Sequence, residues 1–68
     1  MEVIINGQPF QLEPGSTVME AVRRVNPAPG PTGIAVAVNG QVVPRSQWEG
    51  TELKPGDKVE VVQAVQGG

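Results

Sequence analysis

The chain contains no cysteine and no histidine. That removes disulfides, thiolate nucleophiles, iron–sulfur clusters, zinc sites built on nitrogen or sulfur, and imidazole acid–base chemistry. Tyrosine is absent as well, and Phe10 and Trp48 are the only aromatic residues. Five basic and seven acidic residues are spread along the chain for a net charge of −2. There is no basic stripe and little to stack on bases, which disfavours nucleic-acid binding. No apolar run approaches the length of a membrane span. Met1 leads directly into strand-like sequence rather than a signal peptide, so the expectation is a soluble, cytoplasmic protein without a membrane anchor. Sixty-eight residues make one domain with a thin core, worth roughly 3–5 kcal/mol. That leaves little room for an enclosed substrate cavity. A module acting with larger partners is expected in preference to a self-contained enzyme, and its chemistry must use carboxylates, hydroxyls, a few basic groups or the chain termini.

Turn signals divide the chain. Glu2-Val3-Ile4-Ile5 is strand-like, Asn6-Gly7 supplies the positive-φ pair of a tight turn, and Gln8 to Leu12 alternates Phe10 and Leu12 with polar neighbours. The alternation turns Met1, Val3, Ile5, Phe10 and Leu12 inward and leaves Ile4 outward. After the Pro14-Gly15 turn, Thr17 and Glu20 have the spacing of a capping box, with Ser16 as the alternative cap. Val18, Ala21, Val22 and Val25 then recur at helical spacing, Arg23 and Arg24 complement the helix C-terminus, and Pro27 stops the helix. A Pro/Gly-rich connector through Gly33 leads to a strand over Ile34–Val38, a second Asn-Gly turn at Asn39-Gly40, and Gln41-Val42-Val43, which Pro44 ends. Beyond an irregular stretch containing Trp48 and Leu53, a turn over Lys54–Asp57 precedes a last strand from Lys58 to about Gln63. Its Val59 and Val61 share one face, and Glu60 and Val62 the other. This order predicts an α+β domain over residues 1–63, one helix crossing one face of a mixed sheet, and a flexible tail over residues 64–68.

Most candidates for chemistry have plain structural readings. Glu49 and Glu52 lie three apart with no site around them and read as solvated charges. Trp48 reads as a partly buried anchor, and Arg45 as an ion-pair or contact residue. Ile4 and Val62, beside the small Ala35 and Ala37, are a candidate docking patch. No metal-ligating set is present, and no bound cofactor is expected. The terminal Gly67-Gly68 pair stands apart. At a glycine usage of about 7%, such an ending arises by chance in roughly one chain in two hundred. Glycine lets backbone enter a narrow channel. A carboxylate there is inert until joined to AMP as a mixed anhydride, after which a sulfur, nitrogen or oxygen nucleophile can attack. Sulfur attack leaves a thiocarboxylate. ATP and magnesium must come from a partner, because the chain has no phosphate-binding loop. On spacing alone, a working tail and an inert frayed end remain equally open.

The whole chain resembles the ThiS sulfur carriers of the β-grasp, ubiquitin-like family. The resemblance rests on the Asn6-Gly7 hairpin, Gly15-Ser16-Thr17-Val18 before the helix, Ala37-Val38-Asn39-Gly40, and Val43-Pro44-Arg45 with Trp48 shortly after. Gly56-Asp57 and Gln63-Ala64-Val65-Gln66-Gly67-Gly68 complete it. The proline-dense loop from Pro27 to Pro31 departs from the pattern. The resemblance implies a β-grasp sheet of four to five strands whose first and last strands are central, parallel neighbours. It implies a protein cosubstrate with no catalytic residues of its own, working in thiazole formation for thiamin. Gly68 would be adenylated by a ThiF-type adenylyltransferase using ATP and magnesium, then thiocarboxylated with sulfur from a cysteine desulfurase system. A ThiG-type thiazole synthase would accept the sulfur. Gly67 would provide access, while Val62, Ala64, Val65 and Gln66 would contact partners. Sulfur carriage for molybdopterin or tRNA thiolation, a ubiquitin-like modifier, and an inert β-grasp interaction module are the alternatives.

Overall fold

Two Asn-Gly pairs set the hairpins. The computed structural model describes residues 1–30 and 32–63. In it, β1 (Glu2–Ile5) returns as β2 (Gln8–Gln11) through Asn6 at φ +50° and Gly7 at +81°. Likewise β3 (Ile34–Val38) returns as β4 (Gln41–Val42) through Asn39 at +51° and Gly40 at +84°. Two successive left-handed residues give the turn whose twist matches that of the flanking strands. Register follows the apolar alternation. Val3 lies opposite Phe10, and Val3 and Ile5 are fully buried while Ile4 is partly exposed.

The helix α1 (Val18–Val25) starts at Thr17 and stops at Asn26, whose backbone (φ −145°, ψ 89°) has left the helical region that Pro27 disfavours for it. Its first turn is closed differently from the expected capping box, because the Thr17 side chain makes no cap hydrogen bond. The N–H groups of Val18 and Met19 instead donate to the carbonyls of Thr51 (2.9 Å) and Trp48 (3.1 Å). A distant loop thereby satisfies donors that every helix start leaves open. Leu53 returns the tie by donating to the Ser16 carbonyl at 2.9 Å. Val18, Ala21 and Val22 are buried as their spacing predicts, but Val25, in the last turn, is 38% exposed.

The long β5 (Lys58–Gln63) enters the middle of the sheet, giving the order β2-β1-β5-β3-β4. It runs parallel to β1 and antiparallel to β3, so the first and last strands are central parallel neighbours. One helix across one face of this mixed five-stranded sheet is the β-grasp, α+β arrangement. The core lies between them, with Val18, Ala21 and Val22 of the helix meeting Val3, Ile5, Val36 and Val59 of the sheet. Burying each of the larger side chains contributes about 1.5–3 kcal/mol. Trp48 closes the open end of this core from a single 3-10 turn over Arg45–Gln47. It is 1% exposed, deeper than a partly buried anchor, and its Nε1 donates to the Val43 carbonyl at 2.9 Å. No helix among the described residues is long and apolar enough to cross a membrane.

Candidate functional site

Strand β5 carries the chain toward residues 64–68, so its anchoring decides what that segment is mounted on. On one side it pairs with β3 from Val38↔Val59 to Ile34↔Gln63. On the other side β1 reaches only Lys58 and Val59 before turning away at Asn6. Two asparagine amides complete the strand. Asn39 Oδ1 accepts the Lys58 N–H at 3.0 Å, and its Nδ2 donates to Asp57 Oδ1 at 3.0 Å, which fixes where β5 begins. The other Asp57 oxygen accepts the Lys54 N–H at 2.8 Å and closes the turn before it. At the far end Asn6 Oδ1 accepts the Val61 N–H at 2.8 Å while Nδ2 donates to the Val61 carbonyl at 3.2 Å. One side-chain amide thus does for Val61 what a further peptide unit of β1 would do.

The sequence marks both asparagines as turn residues but gives no sign of this second task. The positive φ of an Asn-Gly turn already accounts for them, and only the placement of β5 between the two hairpins brings their amides to it.

Of Val62, Ala64, Val65, Gln66, Gly67 and Gly68, the residues the resemblance assigns to the tail and its partner contacts, only Val62 is described. It lies on the outer face of β5, opposite Ala35, and is 59% exposed. Ala37 lies across from both Glu60 and Val42, and Val42 is 76% exposed. Val62, Ala35, Ala37 and Val42 therefore form one small-residue apolar strip beside Glu60. Ile4 shares this face, but it sits opposite Lys58, a separate position with Glu60 between it and Val62. Ala64, Val65, Gln66, Gly67 and Gly68 lie outside the described residues.

The remaining candidates are structural. Glu49 and Glu52 are exposed. Arg45 stacks over the Trp48 ring at 4.8 Å and donates to the Gly30 carbonyl, tying the proline-rich connector to the core. Among the described residues no three acidic side chains converge as a metal site would require. The arrangement is a small β-grasp domain whose central strand, paired along its whole length with β3 and at its start with β1, leads into residues 64–68.

Comparison with known proteins agrees over the whole length. The model of the ThiS family matches residues 3–68. The chain is 34% identical to the sulfur carrier protein ThiS of Escherichia coli (strain K12), with all 68 residues of this chain and the whole of that protein aligned. The crystal structure of the thiamine biosynthesis protein ThiS from Geobacter metallireducens superposes with a TM-score of 0.73 at 27% identity, covering 100% of both chains. A solution structure of a thiamine biosynthesis protein from the same organism gives the same score over 88% of its length. The chain belongs to the ThiS family. It is a carrier protein, not an enzyme in itself.

Proposed function

We propose that the chain carries sulfur for thiazole formation in thiamin biosynthesis as a thiocarboxylate on Gly68. The observation that carries this reading is a family match running to residue 68 in a chain whose central strand leads directly into residues 64–68. A ThiF-type adenylyltransferase supplies ATP and magnesium. The Gly68 carboxylate attacks the α-phosphorus, pyrophosphate leaves, and the glycyl adenylate forms. The outer sulfur of a persulfide from a cysteine desulfurase system adds to the acyl carbon, and AMP departs with the electrons of the broken C–O bond. A partner thiol then attacks the inner sulfur of the acyl disulfide, forming a disulfide and releasing the thiocarboxylate. The thiocarboxylate then gives its sulfur to the substrate of a ThiG-type thiazole synthase. An oxygen from that substrate or from water takes the place of sulfur at the acyl carbon, and Gly68 returns as a carboxylate. Gly67 keeps the approach narrow enough for an enzyme channel. Val62, Ala64, Val65 and Gln66 form the partner-contacting strand end and tail, with the apolar strip around Val62 as the adjoining docking surface.

Deleting Gly68 tests the reading. The shortened protein should keep its fold and lose all ATP-dependent activation and all rescue of thiamin-requiring growth. Rescue by the shortened protein overturns it. Mass spectrometry of the native protein, with alkylation selective for thiocarboxylates, separates a sulfur carrier from a modifier. The modifier would appear instead as lysine-linked conjugates.

A further inference from the structure

Backbone alternation along β5 leaves one peptide group facing a vacated position. Odd residues turn their N–H and C=O toward β1: Asn6 N donates to the Val59 carbonyl at 2.9 Å, and Val61 is held by the Asn6 amide. Even residues turn theirs toward β3, as the bond from Asn39 N to the Lys58 carbonyl at 2.8 Å shows. Gln63 is the next odd residue. Its N–H and C=O point to the β1 side, where the pairing with β1 ended at Val59 and the Asn6 amide ends at Val61. Among the described residues nothing stands across from them.

The sheet's outer edges are blunted in comparison. Pro9 lies opposite Ile4, whose own N–H is turned to Asp57, so the missing donor of Pro9 falls on the outer side of β2. Strand β4 is two residues long and stops before Pro44. The open stretch of β5 is therefore the place where the fold offers backbone to another strand. Beside it, on the outer face, a depression is lined by Ile4, Asn6, Gly7, Lys58, Val59 and Glu60. Gly7 presents no Cβ there and has nothing within 4 Å of that position.

We infer that Gln63 is a strand-addition site. An extended segment of the activating enzyme pairs by backbone hydrogen bonds with Gln63 in the place β1 vacates, and rests a side chain in the depression beside Asn6-Gly7. This rests on the carrier reading above, and the occupant follows from position. The open peptide group immediately precedes residues 64–68, so a strand paired at Gln63 lies next to the segment that ends in Gly68. Main-chain bonds supply the grip and the alternate side-chain seat supplies selectivity. Asn6 is the positioning residue, because its amide satisfies Val61 and moves the first available backbone group to Gln63.

A chain of this length can be made by chemical synthesis, which allows the Val62–Gln63 amide to be replaced by an ester that removes the Gln63 N–H and only weakens the Val62 carbonyl as an acceptor toward β3. The wild-type protein is first shown to undergo ATP-dependent activation by its enzyme; failure there sinks the carrier reading itself. Given activation, the ester protein should lose about threefold to tenfold in kcat/KM, the worth of one net hydrogen bond. Hydrogen exchange gives the direct readout: Gln63 N–H should exchange quickly in the free protein and slow at least tenfold with saturating enzyme. Unchanged Gln63 exchange in a complex that activates Gly68, with unchanged kinetics of the ester protein, overturns the inference. So does Gln63 protection that grows with protein concentration alone, which assigns the edge to a second copy of this chain.

Discussion

Replacing Asn6 with glycine separates two tasks that one residue performs. Glycine keeps the left-handed turn conformation at least as well as asparagine, so the hairpin geometry survives. What disappears is the amide that accepts from Val61 N–H at 2.8 Å and donates to the Val61 carbonyl at 3.2 Å. Each such bond is worth about 0.5–1.5 kcal/mol net, the longer one falling at the low end. Glycine's larger unfolded-state freedom adds about 0.5–1 kcal/mol, and relief at the positive-φ position returns a similar amount. The net cost is about 1–2 kcal/mol, a third or so of the roughly 3–5 kcal/mol expected of a domain this size. Trp48 is the only tryptophan and is 1% exposed, so urea denaturation followed by its fluorescence reads the loss directly. The midpoint should fall while the slope stays unchanged. Exchange of the Val61 N–H should accelerate at least tenfold, with Lys58 unaffected. The analogous Asn39→Gly variant should reverse that pattern, because its amide holds Lys58. An Asn6→Gly protein with the wild-type midpoint and wild-type Val61 exchange refutes the claim that this amide extends the ladder.

Trp48→Phe removes the donor to the Val43 carbonyl and leaves a void at a sealed position, for a cost of about 2–3 kcal/mol. Circular dichroism must read it because the fluorophore is gone, and a loss below about 0.5 kcal/mol would show that the residue is not a core anchor. Gly67→Val should stay within about 0.5 kcal/mol of wild type, because the buried cluster among the described residues is complete between Val3 and Val59. Its activation rate should fall severalfold; an unfolded variant would show that residues 64–68 help to hold the domain. Val62→Asp changes a side chain 59% exposed on the outer face, so stability should shift by no more than about 1 kcal/mol. Binding to the activating enzyme should weaken, measured as a raised KM, and an unchanged KM would remove Val62 from the contact.

Much of this fold was legible because its punctuation is local. Asn6-Gly7 and Asn39-Gly40 carry their turn type in two residues, Pro27 and Pro44 stop elements by geometry, and β5 spans Lys58–Gln63 as its alternation predicts. The central parallel pairing of β1 and β5 was expected from family resemblance alone, since no local signal specifies which strands become neighbours. The long-range parts were hidden. Thr17 and Glu20 have capping-box spacing, yet the helix donors are met by carbonyls of Trp48 and Thr51, which only packing brings near. Val25 fits the apolar helical period but falls at the last turn, where the core no longer covers it. The Gly67-Gly68 pair was the plainest candidate in the sequence and lies outside the described residues, whereas the amide of Asn6 became visible only with the strands in place.

The strand order also has a consequence for biosynthesis. The centre of the sheet is its last strand in sequence, and both hairpins and the helix pack around a position that stays vacant until β5 is made. A nascent chain therefore cannot close its core early, since the decisive pairings join residues far apart in sequence. The domain becomes compact only once β5 has been made, so the support from which residues 64–68 continue is the last part of the sheet to form.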